Sequence, residues 1–566
     1  MTRRTWWLLA AAIAGLALAA SANSVTNGFT YDDIYLIQRS PRLHTMAGWW
    51  REFAHTYWPE DAGGDGYRPF TIIAYRIEWA LGSGSPLPFH ATNIALHALG
   101  SVAVFWLACA ALPLAAAWIT AALYAVHPVH VEAIANVVGQ SELAVAFLLA
   151  LSVAVYLHGR RSGPLTWPRW AAIAALYGAA CLFKEHAIVL PALLLLAEFT
   201  VVRDSTPFWG RISRLRPAFL VLGVIALGYL WARNAVVVEG LSGFKPFVVF
   251  QALRLSNAQR VLTMVGAAPE WLRLFLWPWR LMTEYAPPYL EVAQGLSVTQ
   301  LPGLLVLLGT LGLLGVCWRR SPVTALGLGW LVLALLPASN FLVPAGFIIA
   351  ERTLTSPSIG AMLAVGSVVP YVYERVEKST VARRLGATVL LFLLAAGVGR
   401  SVARNRAWRD NETLFRQGIV DSPDSYRAHF MLGVYLFENG RKVEGERHYR
   451  EALKLFPYDP LMAFALAEQY RRAGMCEPAI PLYRALYALE PEATSGHLGF
   501  ASCLLMTFHL DEAKQEALAG IRVGAEVRRA RDIIAAADQA DDSLKARRAA
   551  GDTKAPVPKP IAPRPF

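Results

Sequence analysis

Long, almost uncharged apolar stretches recur from the N-terminus to about residue 401, and they constrain this chain more than any other feature. They lie at 5–20, 92–111, 113–127, 141–158, 169–184, 187–202, 217–236, 301–317, 322–341, 354–373 and 385–401, each near the roughly 20 residues that cross a bilayer's hydrocarbon core. No water is available there to satisfy backbone N–H and C=O groups, so each segment must close its own hydrogen bonds, which a helix does. The expected fold is all-α and polytopic, with about eleven transmembrane helices. The 566 residues are 55% hydrophobic and only 17% charged, with a mean hydropathy of +0.38, which excludes an ordinary soluble enzyme. The first run follows Arg3 and Arg4 and resembles a signal peptide. It is read as an uncleaved first span, because many further spans follow and the residues just beyond it need anchoring near the bilayer.

The net charge of +12 does not point to nucleic acid, because the Arg residues cluster in short loops between apolar runs. Arg3-Arg4, Arg160-Arg161 with Arg169, Arg203 to Arg216, Arg319-Arg320 and Arg375 to Arg384 all fall on one side if the N-terminus is cytoplasmic. The other side then receives the first loop (21–90), the His127-Pro128-Val129-His130 turn, Lys184-Glu185-His186, the segment 237–300, Glu351-Arg352 and the C-terminal module. Within 237–300, the stretch from Arg260 to Trp279 is amphipathic and rich in aromatics, which suits an interfacial helix better than a span.

Polar and ionisable groups at membrane depth are costly and usually functional, so their gathering on one face marks a candidate site. Asp32 and Asp33, in Gly28-Phe29-Thr30-Tyr31-Asp32-Asp33-Ile34-Tyr35, stand just past the first span. Adjacent carboxylates raise one another's pKa and suit one of them to accept a proton near neutral pH, although such pairs also occur in solvated turns and helix N-caps. His90, Asn93 and His97 fall on one helix face behind Arg68. His127 and His130 lead to Glu132 and Glu142; two His and a carboxylate can ligate a metal, but Pro128 between them breaks the helix and favours hydrogen bonding. Lys184, Glu185, Glu351 and Arg352 complete the set, the cations being suited to a phosphate at the interface. No GxxxxGK[ST] loop is present. The pattern fits group transfer from a lipid-borne phosphate, in which a carboxylate deprotonates an acceptor hydroxyl and cations stabilise the departing phosphate.

Beyond residue 403 the character changes. Pro423, Pro457 and Pro491 recur every 34 residues, Phe415, Tyr449 and Tyr483 keep the same interval, and so do Gly440 and Gly474. This is the tetratricopeptide (TPR) period, with a half-repeat at 407–425, repeats at 426–459 and 460–493, and a weaker one from 494 into the 520s. Such stacks form grooves for extended peptides. Cys476 and Cys503 lie in neighbouring repeats and can pair on an oxidising side. A terminal helix and a Pro- and Lys-rich disordered tail are expected over 531–566.

In their order, Phe29 through Asp33, Tyr67-Arg68-Pro69 with Arg76, His90 through His97, His127 through Glu132 with Glu142, Lys184-Glu185, Leu276-Trp277-Pro278, Pro337 through Asn340, Glu351-Arg352 and the TPR units resemble the transmembrane-and-TPR protein O-mannosyltransferases and their bacterial relatives. These belong to the GT-C glycosyltransferase superfamily. The resemblance implies a GT-C transmembrane domain over 1–403, TPR repeats over 404–530, and a polyprenyl- or dolichyl-phosphate-linked monosaccharide as donor, plausibly of mannose. It further implies Asp32 or Asp33 as catalytic base, with Arg68, His90, His127, His130, Glu132, Glu142, Lys184, Glu185, Glu351 and Arg352 around the substrates. The expected partners are the polyprenyl-phosphate sugar, membrane lipids and an exported polypeptide glycosylated on Ser or Thr and presented by the TPR groove, without nucleic acid. The short array and the Ala- and Arg-rich composition point to a bacterial inner membrane with a periplasmic site. A divalent metal is left open. So are transfer to an envelope glycan or lipid and a non-catalytic TPR scaffold.

Overall fold

The computed structural model describes residues 2–59, 64–237, 248–552, 554 and 556, and among these it is helical throughout, with no strand. Most of the Pro-rich tail and part of the 237–300 segment therefore lie outside the described residues. The chain divides into two compact units: 1–247, 256–285 and 290–421 form the first, and 248–255, 286–289 and 422–566 the second.

The helices run α1 (Arg3–Ser21), α2 (Pro69–Gly82), α3 (Leu87–Cys109), α4 (Leu114–Ala125), α5 (Val131–Ala135), α6 (Gln140–Arg160), α7 (Trp167–Phe183), α8 (Leu190–Thr200) and α9 (Phe208–Val236). After α10 (Val248–Ala252), which belongs to the second unit, come α11 (Asn257–Leu276), α12 (Leu301–Arg320), α13 (Pro322–Leu335), α14 (Thr355–Gly366), α15 (Val369–Val376), α16 (Thr380–Asn405) and α17 (Asn411–Asp421). Among the described residues seven helices are long and apolar enough to cross a membrane: Arg3–Thr26, Leu87–Cys109, Val137–Arg160, Phe208–Val236, Val298–Arg320, Glu351–Val376 and Thr380–Trp408. An eighth is completed by α4 and the segment Pro128–Ala135 if this pair, bent by 44°, is one span. The chain is a multi-pass helical membrane protein. The other three expected runs, around 169–184, 187–202 and 322–341, fold as α7 (17 residues), α8 (11 residues) and α13 (14 residues), which fall short of a straight span. α7 ends at Phe183, before Lys184-Glu185; a 3-10 turn over Glu185–Val189 precedes α8; and α13 gives way at Leu335 to a 3-10 turn that contains Pro337. Those interruptions admit polar groups to the domain interior.

The central helix is the Val137–Arg160 span, of which 83% is buried; the spans around α9, α12 and α16 are only 11–17% buried and turn apolar faces outward. On α9 that face is Leu220, Val224, Leu227 and Trp231, at helical spacing and suited to lipid. Inside, α13 and α14 approach closely at Gly327 and Gly360, where a Cβ on either would fall into the other helix's backbone. The first loop folds back on α2: Arg76 is buried, pairs with Glu52 at 2.7 Å and donates to the Thr45 and Ala47 carbonyls. Since each donor finds an acceptor, burial of the guanidinium fixes the loop over the helix ends.

The second unit continues with α18 (Tyr426–Glu438), α19 (Lys442–Leu455), α20 (Pro460–Arg472), α21 (Cys476–Leu489), α22 (His497–Met506), α23 (Leu510–Arg522) and α24 (Val527–Ala549). The helices pack in consecutive pairs, α18 with α19, α20 with α21 and α22 with α23. The sequence period is visible in them, α18 and α20 beginning at Tyr426 and Pro460, α19 and α21 at Lys442 and Cys476. Gly433 explains its own smallness: a Cβ there would lie 3.0 Å from the Tyr449 ring and 3.2 Å from the Gly445 carbonyl. Tyr449 and Tyr483 are fully buried at equivalent places in successive pairs. A disulfide joins Cys476 and Cys503, at the starts of α21 and within α22.

Candidate functional site

The two aspartates have separate environments. Tyr31 adopts a left-handed turn (φ 54°), after which 32–38 wind into a short helix. Asp33 points inward, fully buried, and its carboxylate accepts the N–H groups of Thr30 (3.1 Å), Val137 (3.3 Å) and Val138 (3.0 Å). It thus caps the start of the Val137–Arg160 span, where the helix dipole favours an anion. Asp32 remains 23% exposed and faces Arg352, whose Nη2 is 3.9 Å from its Oδ2. The geometry divides the pair into one structural and one accessible carboxylate.

Three cations meet at this place, each held by a carboxylate from another segment. Arg352 pairs with Glu132 through Nη1, and its backbone N–H donates to the same carboxylate at 2.9 Å. Lys184 Nζ contacts Glu142 Oε1 at 2.5 Å, with His186 Nε2 3.4 Å from the other oxygen. Arg68 forms a fork with Glu185 at 2.7 and 3.0 Å and lies over the Tyr57 ring, 4.5 Å from its centroid. The three pairs are within electrostatic range of one another, since Lys184 feels Arg68, Glu185 and Arg352. Burial alone would raise Glu185, but the Arg68 guanidinium outweighs it and holds the carboxyl well below the usual range. Cations fixed by partner carboxylates are pre-oriented donors, which is what stabilisation of a departing phosphate needs.

The remaining predicted residues lie deeper. His90 is buried with Nε2 3.4 Å from the Gly28 carbonyl. His127 donates from Nε2 to the Phe275 carbonyl (3.1 Å) and accepts the Val129 N–H at Nδ1. The His130 ring nitrogen is 2.8 Å from Ser358 Oγ. Glu351 is buried and accepts from the Met282 N–H (2.7 Å) and the Tyr285 hydroxyl (2.5 Å). These four join distant segments around the cluster. Among the described residues no group of three His, Cys, Asp or Glu is arranged to hold a metal ion, His127, His130 and Glu132 included. His186 and Tyr31 lie in stretches the sequence marks but were not among its candidate residues, and Tyr57, under the Arg68 guanidinium, and Asn411, which accepts the Tyr31 N–H, lie in no motif of the sequence.

Asp33 supports a pH prediction. Burial pushes its carboxyl up to about 7, against the pull of the three amide bonds and with a further push from Asp32. The unfolded residue ionises near the ordinary value of 3.8, so between about pH 4 and 7 unfolding releases a proton and rising pH favours the unfolded chain. In detergent, wild type is expected to lose stability relative to Asp33→Asn across that window, by at most about 1.4 kcal/mol per pH unit, the loss being complete above it. Parallel thermal-unfolding curves for the two proteins against pH would contradict this.

No family model matches the sequence. Curated relatives do. Over 492 residues, 77% of this chain and 65% of the relative, it is 27% identical to the human protein O-mannosyl-transferase TMTC4. Over 523 residues, 86% of the chain and 55% of the relative, it is 25% identical to human TMTC3, and over 534 residues (78% and 61%) it is 28% identical to Tmtc1 of Drosophila melanogaster. The chain thus spans 55–65% of the length of these relatives.

Proposed function

We propose that this chain, a relative of the transmembrane-and-TPR protein O-mannosyltransferases, is a membrane glycosyltransferase that moves a monosaccharide, plausibly mannose, from a polyprenyl-phosphate carrier to Ser or Thr of exported polypeptides. The observation that carries the reading is the approach of Asp32 to the Arg352–Glu132 pair, with the Lys184–Glu142 and Arg68–Glu185 pairs in electrostatic range of it through Lys184. Asp32 takes the proton of the acceptor hydroxyl as its oxygen bonds to the anomeric carbon. The bond from that carbon to the phosphate oxygen breaks, and its electron pair leaves with the lipid phosphate. The products are glycosylated Ser or Thr, polyprenyl phosphate and a proton on Asp32 that passes to water. Arg352, Lys184 and Arg68 bear the phosphate charge while their carboxylates hold them in place. The Glu partners keep the cations aimed when no donor is bound, so little reorganisation accompanies the charge shift. Asp33 keeps Asp32 in register by anchoring the loop.

In this reading the paired helices of the second unit are TPR repeats whose groove holds the acceptor polypeptide. The Cys476–Cys503 disulfide supports an oxidising, extracytoplasmic setting for that unit, as in a bacterial periplasm. The loop charges support a cytoplasmic N-terminus. The test compares O-linked hexose on exported proteins from cells with and without the chain. Loss of specific Ser or Thr hexosylation is expected; unchanged protein glycosylation with loss of sugar from an envelope glycan or lipid would overturn the acceptor assignment.

A further inference from the structure

The turn that presents Asp32 is built on an uncommon backbone. A tyrosine at φ 54° is strained relative to glycine or asparagine, and such positions concentrate at functional sites. The strain is held by Tyr31's own contacts: its N–H donates to Asn411 Oδ1 at 2.7 Å, its hydroxyl to Glu284 Oε1 at 2.6 Å, and its ring meets Phe415 edge-on. Asn411 is the first residue of α17, and that helix does not use its side chain as a cap: Asp410 already accepts the Thr413 N–H at 2.8 Å. The same segment grips the chain just upstream, the Arg409 carbonyl accepting the Gly28 N–H at 2.9 Å.

We infer that Asn411, far from the acidic doublet in sequence, is a positioning residue for Asp32: its amide oxygen fixes the Tyr31 turn that sets the direction of the carboxylate toward the acceptor. This rests on the reading of Asp32 as the base. Loss of the bond lets Tyr31 relax toward negative φ, which re-aims Asp32 without removing any group that binds donor or acceptor. The deficit belongs in kcat rather than KM.

The test is steady-state transfer by the full chain in nanodiscs, from polyprenyl-phosphate mannose to a Ser/Thr peptide. Asn411→Ala is expected to lower kcat by at least about tenfold with both KM values within about twofold of wild type. Asn411→Asp keeps the Oδ acceptor and is expected to restore kcat to within about threefold. Amide exchange reads the same bond without turnover, Tyr31 exchanging faster in Asn411→Ala and at the wild-type rate in Asn411→Asp. Should Asn411→Ala fold poorly, Tyr31→Phe, which removes the hydroxyl that donates to Glu284, is expected to lower kcat about threefold or more at unchanged KM. Wild-type kcat or unchanged exchange in Asn411→Ala, equal loss in the Ala and Asp variants, or wild-type kcat in Tyr31→Phe overturns the inference. Asp32→Asn in the same assay separates the two claims. If it is silent while Asn411→Ala turns over normally, only the role of Asn411 fails; if it transfers at the wild-type rate, the base assignment fails and this inference with it.

Discussion

Asp32→Asn is expected to lower transfer by about a thousandfold while the protein still inserts, folds and binds donor, because in the proposed reaction Asp32 is a positioned general base, a role that contributes about 10²–10⁴, and Asn has the same shape without the basic oxygen. The partly exposed setting of Asp32 makes the substitution mild for the fold. Asp33→Asn is expected to act in the opposite sense. Its two oxygens accept three backbone N–H groups at the start of the central span and an amide offers one acceptor oxygen, so Asn weakens the fold, most of all at acidic pH where the buried wild-type carboxyl keeps its proton, more than it impairs proton transfer. Measuring kcat and thermal stability for both variants separates the neighbours. A larger kcat loss for Asp33→Asn than for Asp32→Asn would reverse their roles.

Arg352→Ala is the second large effect, and it has two parts. In the proposed reaction it removes one of three cations that face the leaving phosphate, which is expected to cost about 10²–10³ in kcat for a group aimed at developing charge. It also strands Glu132, whose side chain is only 4% exposed; because Arg352 itself is 20% exposed, the stability cost lies near the lower end of the range for broken buried pairs, about 3 kcal/mol. The double variant Glu132→Gln, Arg352→Ala resolves the two parts, since neutralising Glu132 restores most of the stability and none of the activity. Arg352→Lys is expected to recover little, because the guanidinium uses one nitrogen for Glu132 and turns another toward Asp32. A double variant that regained turnover would assign Arg352 to folding alone.

Much of this was legible in the linear sequence, for identifiable reasons. Apolar runs and the 34-residue recurrence report local periodicity, and a rare carboxylate or cation beside such a run is conspicuous, which is how Asp32, Lys184, Glu185 and Arg352 stood out. Tertiary partnership is not local. Nothing in the sequence pairs Glu132 with Arg352 or Glu142 with Lys184, and nothing distinguishes Asp33 from Asp32 until the Val137 and Val138 amides are brought against one of them. Apolar composition does not register where a helix changes to a 3-10 turn, as α13 does at Pro337 and as the chain does over Glu185–Val189 before α8. Asn411 was invisible because an Asn at the start of a polar helix is ordinary, and its use by Tyr31 depends on two segments at opposite ends of the first unit.

The most direct measurement of the central claim is product analysis with purified protein in nanodiscs, a polyprenyl-phosphate hexose labelled in the sugar, and a Ser/Thr peptide. Labelled hexose on the peptide hydroxyl, one lipid phosphate released per sugar transferred, and an anomeric configuration opposite to that of the donor are the predicted result of a single displacement assisted by Asp32. Retained configuration, or an intact donor beside unmodified peptide, would contradict it.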